Sequence, residues 1–305
     1  MKINIALQLF YRRCIAINVT NATLLNYKND FTNFSQFIST KGVNNLEQIT
    51  SETIVDYIVY LKSKNLSPVT IQDRFRELKT LFNYHVKEGN IAISPLQGMK
   101  KPKVPKIYAR TFTNDEIKAI LQYFSHDDFI SYRNYVIMCM FFGTGIRRAE
   151  LLRLTVSDIH MKEGIITVIG KGNKQRIIPI SGVLKRILAE YLKRREMYLN
   201  TAKNTSPALI INHYGYSFKE SGLMFVFRQL KDNLGFPKKR LSPHTWRHTF
   251  AKNFLLNGGN VFALQKLLGH EDIETTKIYI DYTINEIKTQ NENYNPLNNN
   301  RWQYY

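Results

Sequence analysis

"LSPHTWRHTFA", Leu241–Ala251, sets two histidines four residues apart with an arginine between them, directly after a Ser-Pro pair. Ser242 and Pro243 suit the N-cap and first position of a helix, so His244 and Arg247 project one turn apart near a helix N-terminus. Unbonded N–H groups and the helix dipole favour an anion there. As a metal site the pair His244 and His248 is poor: the glutamate of the zinc protease motif is missing, and Arg247 sets a cation beside the metal. No metal is expected. Alone, His-x-x-Arg in so basic a chain reads best as a surface helix face.

Upstream, "GTGIRRAELLRLTVSDI", Gly143–Ile159, separates Arg147 from Glu150 by one helical turn, so the carboxylate can fix the guanidinium. An ordinary exposed ion pair fits the spacing equally well. Gly143 and Gly145 let the start of this helix approach another backbone closely. "GIITVIG" and "RIIPI" read as two strands joined by "KGNKQ", a hairpin whose turn carries Lys171 between glycines. The loop lacks the spacing of a nucleotide-binding P-loop, so Lys171 is either solvated or able to reach into a groove and donate a proton. Downstream, "LLGHEDIETTKIYIDYT", Leu267–Thr283, ends a helix at Gly269 and then presents His270 and Tyr279. Nothing local distinguishes that tyrosine from a packing residue.

The first hundred residues read as helices. "SETIVDYIVYLKSK" offers Ser51 as a cap, with Ile54, Ile58 and Leu61 on one face. "LSPVTIQDRFRELKTLFNYHVKEGN" offers Ser67 and Pro68 as N-cap and N1, with an apolar stripe through Ile71, Phe75, Leu78 and Phe82 up to Gly89. "KKPKVPKIYAR" follows, with two prolines, five basic residues and no acid; it reads as a solvated linker or as an extended strap along phosphates through Lys100, Lys101, Lys103, Lys106 and Arg110. "TNDE" then gives a capping box, Thr113 with Glu116.

Over 305 residues, 43 Lys and Arg oppose 24 Asp and Glu, a net charge of +19 that favours polyanions such as nucleic acid or an anionic membrane surface. Residues 1–99 hold 11 basic and 7 acidic residues, a net of +4, which leaves +15 for the linker and second half. The longest apolar run, Val136–Phe142, is too short to span a membrane, and the N-terminus lacks a secretory cleavage site, so a soluble, cytoplasmic protein is expected. Cys14 and Cys139 lie in periodic apolar contexts and are expected in the core, forming neither a disulfide framework nor a zinc site.

Taken in order, Arg147, Lys171, His244, Arg247, His270 and Tyr279 resemble the active-site set of the tyrosine recombinases, the phage integrase and Xer family. The matching strings are "TGIRRAEL", "GKGNKQRIIPI", "LSPHTWRHTFA" and "LLGHEDIETTKIY", and "LSPVTIQDRFRELKTLFNY" also resembles that family's N-terminal DNA-binding helices. The departures are Arg148, which doubles the first arginine, Trp246 and Asp281, which replace a frequent Leu and His, and Tyr282, one turn beyond Tyr279. Glu150 supports Arg147 as the catalytic arginine, and "TTKIY" favours Tyr279 as the nucleophile.

The resemblance implies a mainly α fold with a small β-sheet. A helical core-binding, SAM-like domain would span 1–99, a basic linker 100–110 and an α+β catalytic domain 111–305, the two domains clamping DNA. It implies a metal-independent, cofactor-free site-specific recombinase that works through a 3′-phosphotyrosine and a Holliday junction. The DNA would carry inverted-repeat sites, synapsed by a homotetramer or heterotetramer. Dimer resolution, transposon resolution and integration remain open as roles. The implied location is cytoplasmic and nucleoid-associated, in a prokaryotic, viral or mobile-element host, and the tail from Ile284 is expected to dock on a neighbouring protomer. A type IB topoisomerase and a non-catalytic DNA-binding regulator are the rival readings.

Overall fold

The computed structural model describes residues 1–105, 110–170, 174–235, 241–269, Thr276 and 284–294. The chain forms two compact units that divide between residues 107 and 108, inside the basic segment.

Four helices build the first unit: α1 (Ile3–Ala16), α2 (Asn21–Ser39), α3 (Ser51–Ser63) and α4 (Pro68–Lys87). Ser67 caps α4 by accepting from the Thr70 N–H, Pro68 occupies the first turn, and Ile71, Phe75, Leu78 and Phe82 are buried along the expected stripe. The cap of α3 differs from expectation. Thr50 accepts from the Thr53 N–H, while the Ser51 hydroxyl donates to the Pro95 carbonyl, 44 residues away. Aromatic side chains dominate this core: Phe10 meets Tyr27, Phe31 and Tyr84 edge-on at 5.4–5.7 Å, and Phe34 meets Tyr57 at 4.9 Å. Truncating one such buried ring to Ala typically costs about 3–5 kcal/mol. Cys14 is buried among them as a free thiol.

In the second unit, α5 (Asn114–Gln122) starts at the expected capping box of Thr113 and Glu116. The next helix, α6 (Phe129–Thr144), is apolar on nearly every side and therefore central, packed by α8 (Gly182–Ala202) and α10 (Pro243–Leu256), with the free Cys139 buried in it. A short α7 (Arg148–Arg153) leads to a three-stranded antiparallel sheet of β1 (Ile159–His160), β2 (Ile165–Ile169) and β3 (Gln175–Pro179), in the order β1-β2-β3. The register pairs Ile166 with Ile178 and Val168 with Arg176, so Ile166, Val168 and Ile178 are buried and Arg176 shares their inward face. The expected hairpin is thus present, although Lys171 at its turn lies outside the described residues.

The unit continues with α9 (Glu220–Leu234), α10, α11 (Val261–Leu268) and a last helix, Ile284–Tyr294. That last helix occupies part of the segment read as a tail, and Glu286 pairs with Lys252 of α10 at 2.7 Å. The chain is therefore mainly α with one small sheet. No described helix is long and apolar enough to cross a membrane.

Candidate active site

Local sequence sets Arg147 and Arg247, two of the arginines of the pocket, near helix starts. The chain leaves α6 through Gly145, whose φ of +61° is open to glycine and whose missing side chain makes room: a Cβ would lie 2.4 Å from Phe250 Cδ1 and 2.9 Å from Leu268 Cδ2. This turn sets Arg147 at the N-cap of α7 and Glu150 at its third position. Glu150 accepts from the Arg147 backbone N–H at 2.8 Å and from its guanidinium at 2.9 Å.

Glu150 is buried, and Arg176 grips it with both terminal nitrogens at 2.6 and 2.8 Å. Burial alone would push this carboxyl up, but the hydrogen bonds from Arg176 and Arg147 outweigh it and hold the group at about 2. It is therefore an anion throughout the physiological range.

On α10, Ser242 accepts from the Thr245 N–H, as its sequence implies, and Pro243 follows. His244 is exposed at this helix start, whereas Arg247, one turn later, is buried. Arg247 donates to the Gly145 carbonyl and to the Leu268 carbonyl, each at 2.7 Å. Arg147 donates to Gly269 O at 3.0 Å and Arg176 Nε to Leu267 O at 3.0 Å. Three guanidiniums thus engage three successive carbonyls at the C-terminus of α11. A helix leaves its last carbonyls without intrahelical partners and partially negative, so this end orients cations through backbone alone. Each guanidinium has five N–H groups, and the two bonds that anchor the Arg147 side chain occupy two of them.

These residues border a pocket of about 390 Å³ lined by Arg110, Arg147, Arg148, Arg247, His244 and His248, together with Met224, Leu241, Ser242, Pro243 and Thr245. No Asp or Glu is among the described residues that line it, and the N-terminus of α10 faces it. Burial, followed by the proximity of His244 and Arg247, pushes the His248 imidazole down, keeping it neutral. The chemistry of the lining is that of a site for a dianionic or monoanionic phosphate. No group of three His, Cys, Asp or Glu able to hold a metal occurs among the described residues.

Of the residues singled out in the sequence, Arg147, His244, Arg247 and Arg110 line this one pocket, with Glu150 behind Arg147. Lys106, Lys171, His270 and Tyr279 lie outside the described residues, as do Asp281 and Tyr282. Lys100, Lys101 and Lys103 are exposed in the first unit. Sequence reasoning missed Arg176, whose signal was its position two residues before Ile178 on the inward face of a strand, where a cation requires a carboxylate. It also left Arg148 unassigned; Arg148 pairs with Glu220 of α9 at 2.6 Å on the pocket wall. Trp246 is fully buried against Phe112 and Phe142 and supports α10 from behind.

Comparison with known proteins bears on this arrangement. Residues 110–300 match the phage integrase family and residues 7–104 the phage integrase SAM-like domain. The chain is 30% identical over 279 residues to tyrosine recombinase XerD of Halalkalibacterium halodurans, covering 91% of this chain and 93% of that one. It is 28% identical over 280 residues to tyrosine recombinase XerC of Listeria innocua, covering 92% and 93%. Among solved structures, the Tn1549 transposon integrase in complex with transposon right end DNA shares the fold with a TM-score of 0.75 at 22% identity, covering 96% of this chain and 99% of that one. XerA recombinase matches at 25% identity with a TM-score of 0.53, covering 95% and 98%. With both profiles matched in order, the chain belongs to the phage integrase family of tyrosine recombinases, enzymes of site-specific recombination that cleave and rejoin DNA strands.

Proposed function

We propose that this recombinase cleaves DNA through Tyr279, with Arg147 and Arg247 clamping the scissile phosphate. The Tyr279 phenolate oxygen bonds to phosphorus as the P–O5′ bond breaks, giving a 3′-phosphotyrosine, and Lys171 protonates the departing 5′ oxygen. His244 assists as base or donor, and His270 donates to a nonbridging oxygen. Attack by a 5′ hydroxyl reverses the sequence, so strands rejoin without a nucleotide cofactor or a metal.

The observation that carries this reading is the pocket whose described lining is basic and in which two arginines are anchored on helix-end carbonyls. Such preorganised donors stabilise charge that develops only in the transition state, and removing one typically costs about 10²- to 10³-fold in rate. Gly170 and Gly269, the residues immediately before Lys171 and His270, both approach the Arg176–Glu150 pair, which supports a common site for those two side chains.

We further propose that the two units, 1–99 and 111–305 joined by the basic segment 100–110, clamp a duplex carrying inverted repeats, with four protomers synapsing two sites. The segment from Ile284 would join neighbouring protomers. Similarity to relatives named XerC and XerD supports an Xer-like role, dimer resolution or the integration or resolution of a mobile element. The soluble, cytoplasmic and nucleoid-associated placement belongs to the same reading.

The test is covalent capture. The purified chain is incubated in EDTA with fragmented, nicked host DNA and resolved on a denaturing gel beside Tyr279→Phe and Tyr282→Phe. An adduct formed by wild type and Tyr282→Phe but lost in Tyr279→Phe is the expected result. Loss in Tyr282→Phe alone would move the nucleophile by one turn, and binding without any adduct would favour a regulator.

A further inference from the structure

Arg176 is not among the described residues that line the pocket, yet it touches the groups that hold Arg147. Its two terminal nitrogens occupy both oxygens of Glu150, at 2.6 and 2.8 Å, and its Nε caps Leu267 O at 3.0 Å. Gly269 is small where Arg176 passes: a Cβ there would lie 2.8 Å from Arg176 Cδ. The charged groups facing Glu150 among the described residues are Arg147, at the start of α7, and Arg176, on β3.

Charge balance gives this arrangement its consequence. Glu150 is needed to aim Arg147, but a carboxylate paired with Arg147 alone would neutralise the cation that must meet the phosphate. Arg176 supplies a second positive charge, so the triad of Arg147, Glu150 and Arg176 keeps a net charge of +1 beside the pocket. The Arg176 side chain is only 13% exposed, so its charge is little screened by water.

We propose that Arg176 is a positioning residue for strand cleavage: it compensates Glu150 so that Arg147 is held in place without losing its charge to the carboxylate. This rests on the reading of Arg147 and Arg247 as the phosphate clamp.

The experiment uses the full chain and the nicked duplex that the wild type captures covalently, with adduct rate and noncovalent binding measured separately. Arg176→Gln should slow adduct formation by about 10²-fold at saturating protein, the size of loss that mispositioned groups typically cause, while binding of the duplex changes little. Arg176→Lys, which keeps the charge but not the fork, should fall between Arg176→Gln and wild type. The deciding variant is Arg176→Gln with Glu150→Gln. It removes the uncompensated carboxylate and should be about tenfold faster than Arg176→Gln alone, because a neutral amide of the same shape as the carboxylate no longer draws on the Arg147 charge. A merely structural brace would leave the double variant as slow as the single one or slower. That result, or a wild-type rate in Arg176→Gln, overturns the inference. Should Arg176→Gln fail to fold, the comparison passes to Arg176→Lys and the double variant, where a double variant slower than Arg176→Lys by 10²-fold or more overturns it. A wild type that captures no duplex overturns the cleavage reading together with this one.

Discussion

Gly145 carries two duties at a single residue: its left-handed backbone turns the chain from α6 into α7, and its carbonyl accepts from Arg247 at 2.7 Å. Gly145→Ala forces a methyl into the Phe250 ring and a residue with a Cβ into a positive-φ turn. It should destabilise the chain by about 1 to 3 kcal/mol, read as a lower denaturant midpoint at unchanged slope, and should slow covalent capture as Arg247 loses its anchor. An unchanged midpoint would mean that Phe250 yields without cost. The Arg147–Glu150 pair was legible in the sequence because it is a matter of one helical turn, whereas Gly145, read as allowing close approach to another backbone, instead makes a left-handed turn against the side chains of Phe250 and Leu268. The carbonyls that hold the arginines were not legible, since Leu267, Leu268 and Gly269 reach them across 21 to 122 residues and through backbone atoms every residue has.

Among the elements of the first unit, α4 shows what periodicity reveals and what it leaves out. Its apolar stripe and Ser-Pro start follow directly from spacing, but its flank carries Arg74 and Glu77 against Asp30 of α2 and Tyr57 of α3, a contact that no single-helix pattern contains. Arg74 Nε stands 3.0 Å from Asp30 Oδ1, an ion pair without the alignment of a hydrogen bond. Burial, then the neighbouring Asp30 carboxyl, pushes Glu77 above the usual carboxylate range. The folded chain therefore binds more protons than the unfolded chain between the ordinary carboxylate pKa and the raised one, and stability falls as pH rises through that window. Glu77→Gln should melt like wild type near pH 4.5. At pH 8 it should be more stable by about 1 kcal/mol, the penalty of the ionised carboxylate being reduced by solvent at this half-buried site. Equal stability of the two proteins at both pH values would show that Glu77 is solvated in the folded chain. The cap of α3 has the same lesson at smaller size: Thr50 and Ser51 are equivalent in sequence, and a partner 44 residues away takes Ser51.

For the whole molecule, the charge surplus acts at longer range than any single pair. The net of +19 is uneven, +4 over residues 1–99 and +15 over the rest, with Lys100, Lys101 and Lys103 exposed where the basic segment begins. Gln72 of α4 donates to the Pro102 carbonyl at 2.8 Å, so these lysines flank a residue that is pinned rather than loose. The sequence left two readings of the segment, solvated linker and phosphate strap, because composition alone is the same for both. Counterion release separates them. Each phosphate neutralised adds about 0.9 to the slope of log affinity against log salt on duplex DNA, and the contribution does not depend on sequence, so any plain duplex serves as the probe. Replacing Lys100, Lys101 and Lys103 by Gln should reduce that slope by about 3 if all three lie on phosphates, and weaken binding most at low salt. A slope equal to that of wild type would assign the segment to solvent and leave DNA affinity to the remaining basic surface. An intermediate slope would count how many of the three lysines make contact.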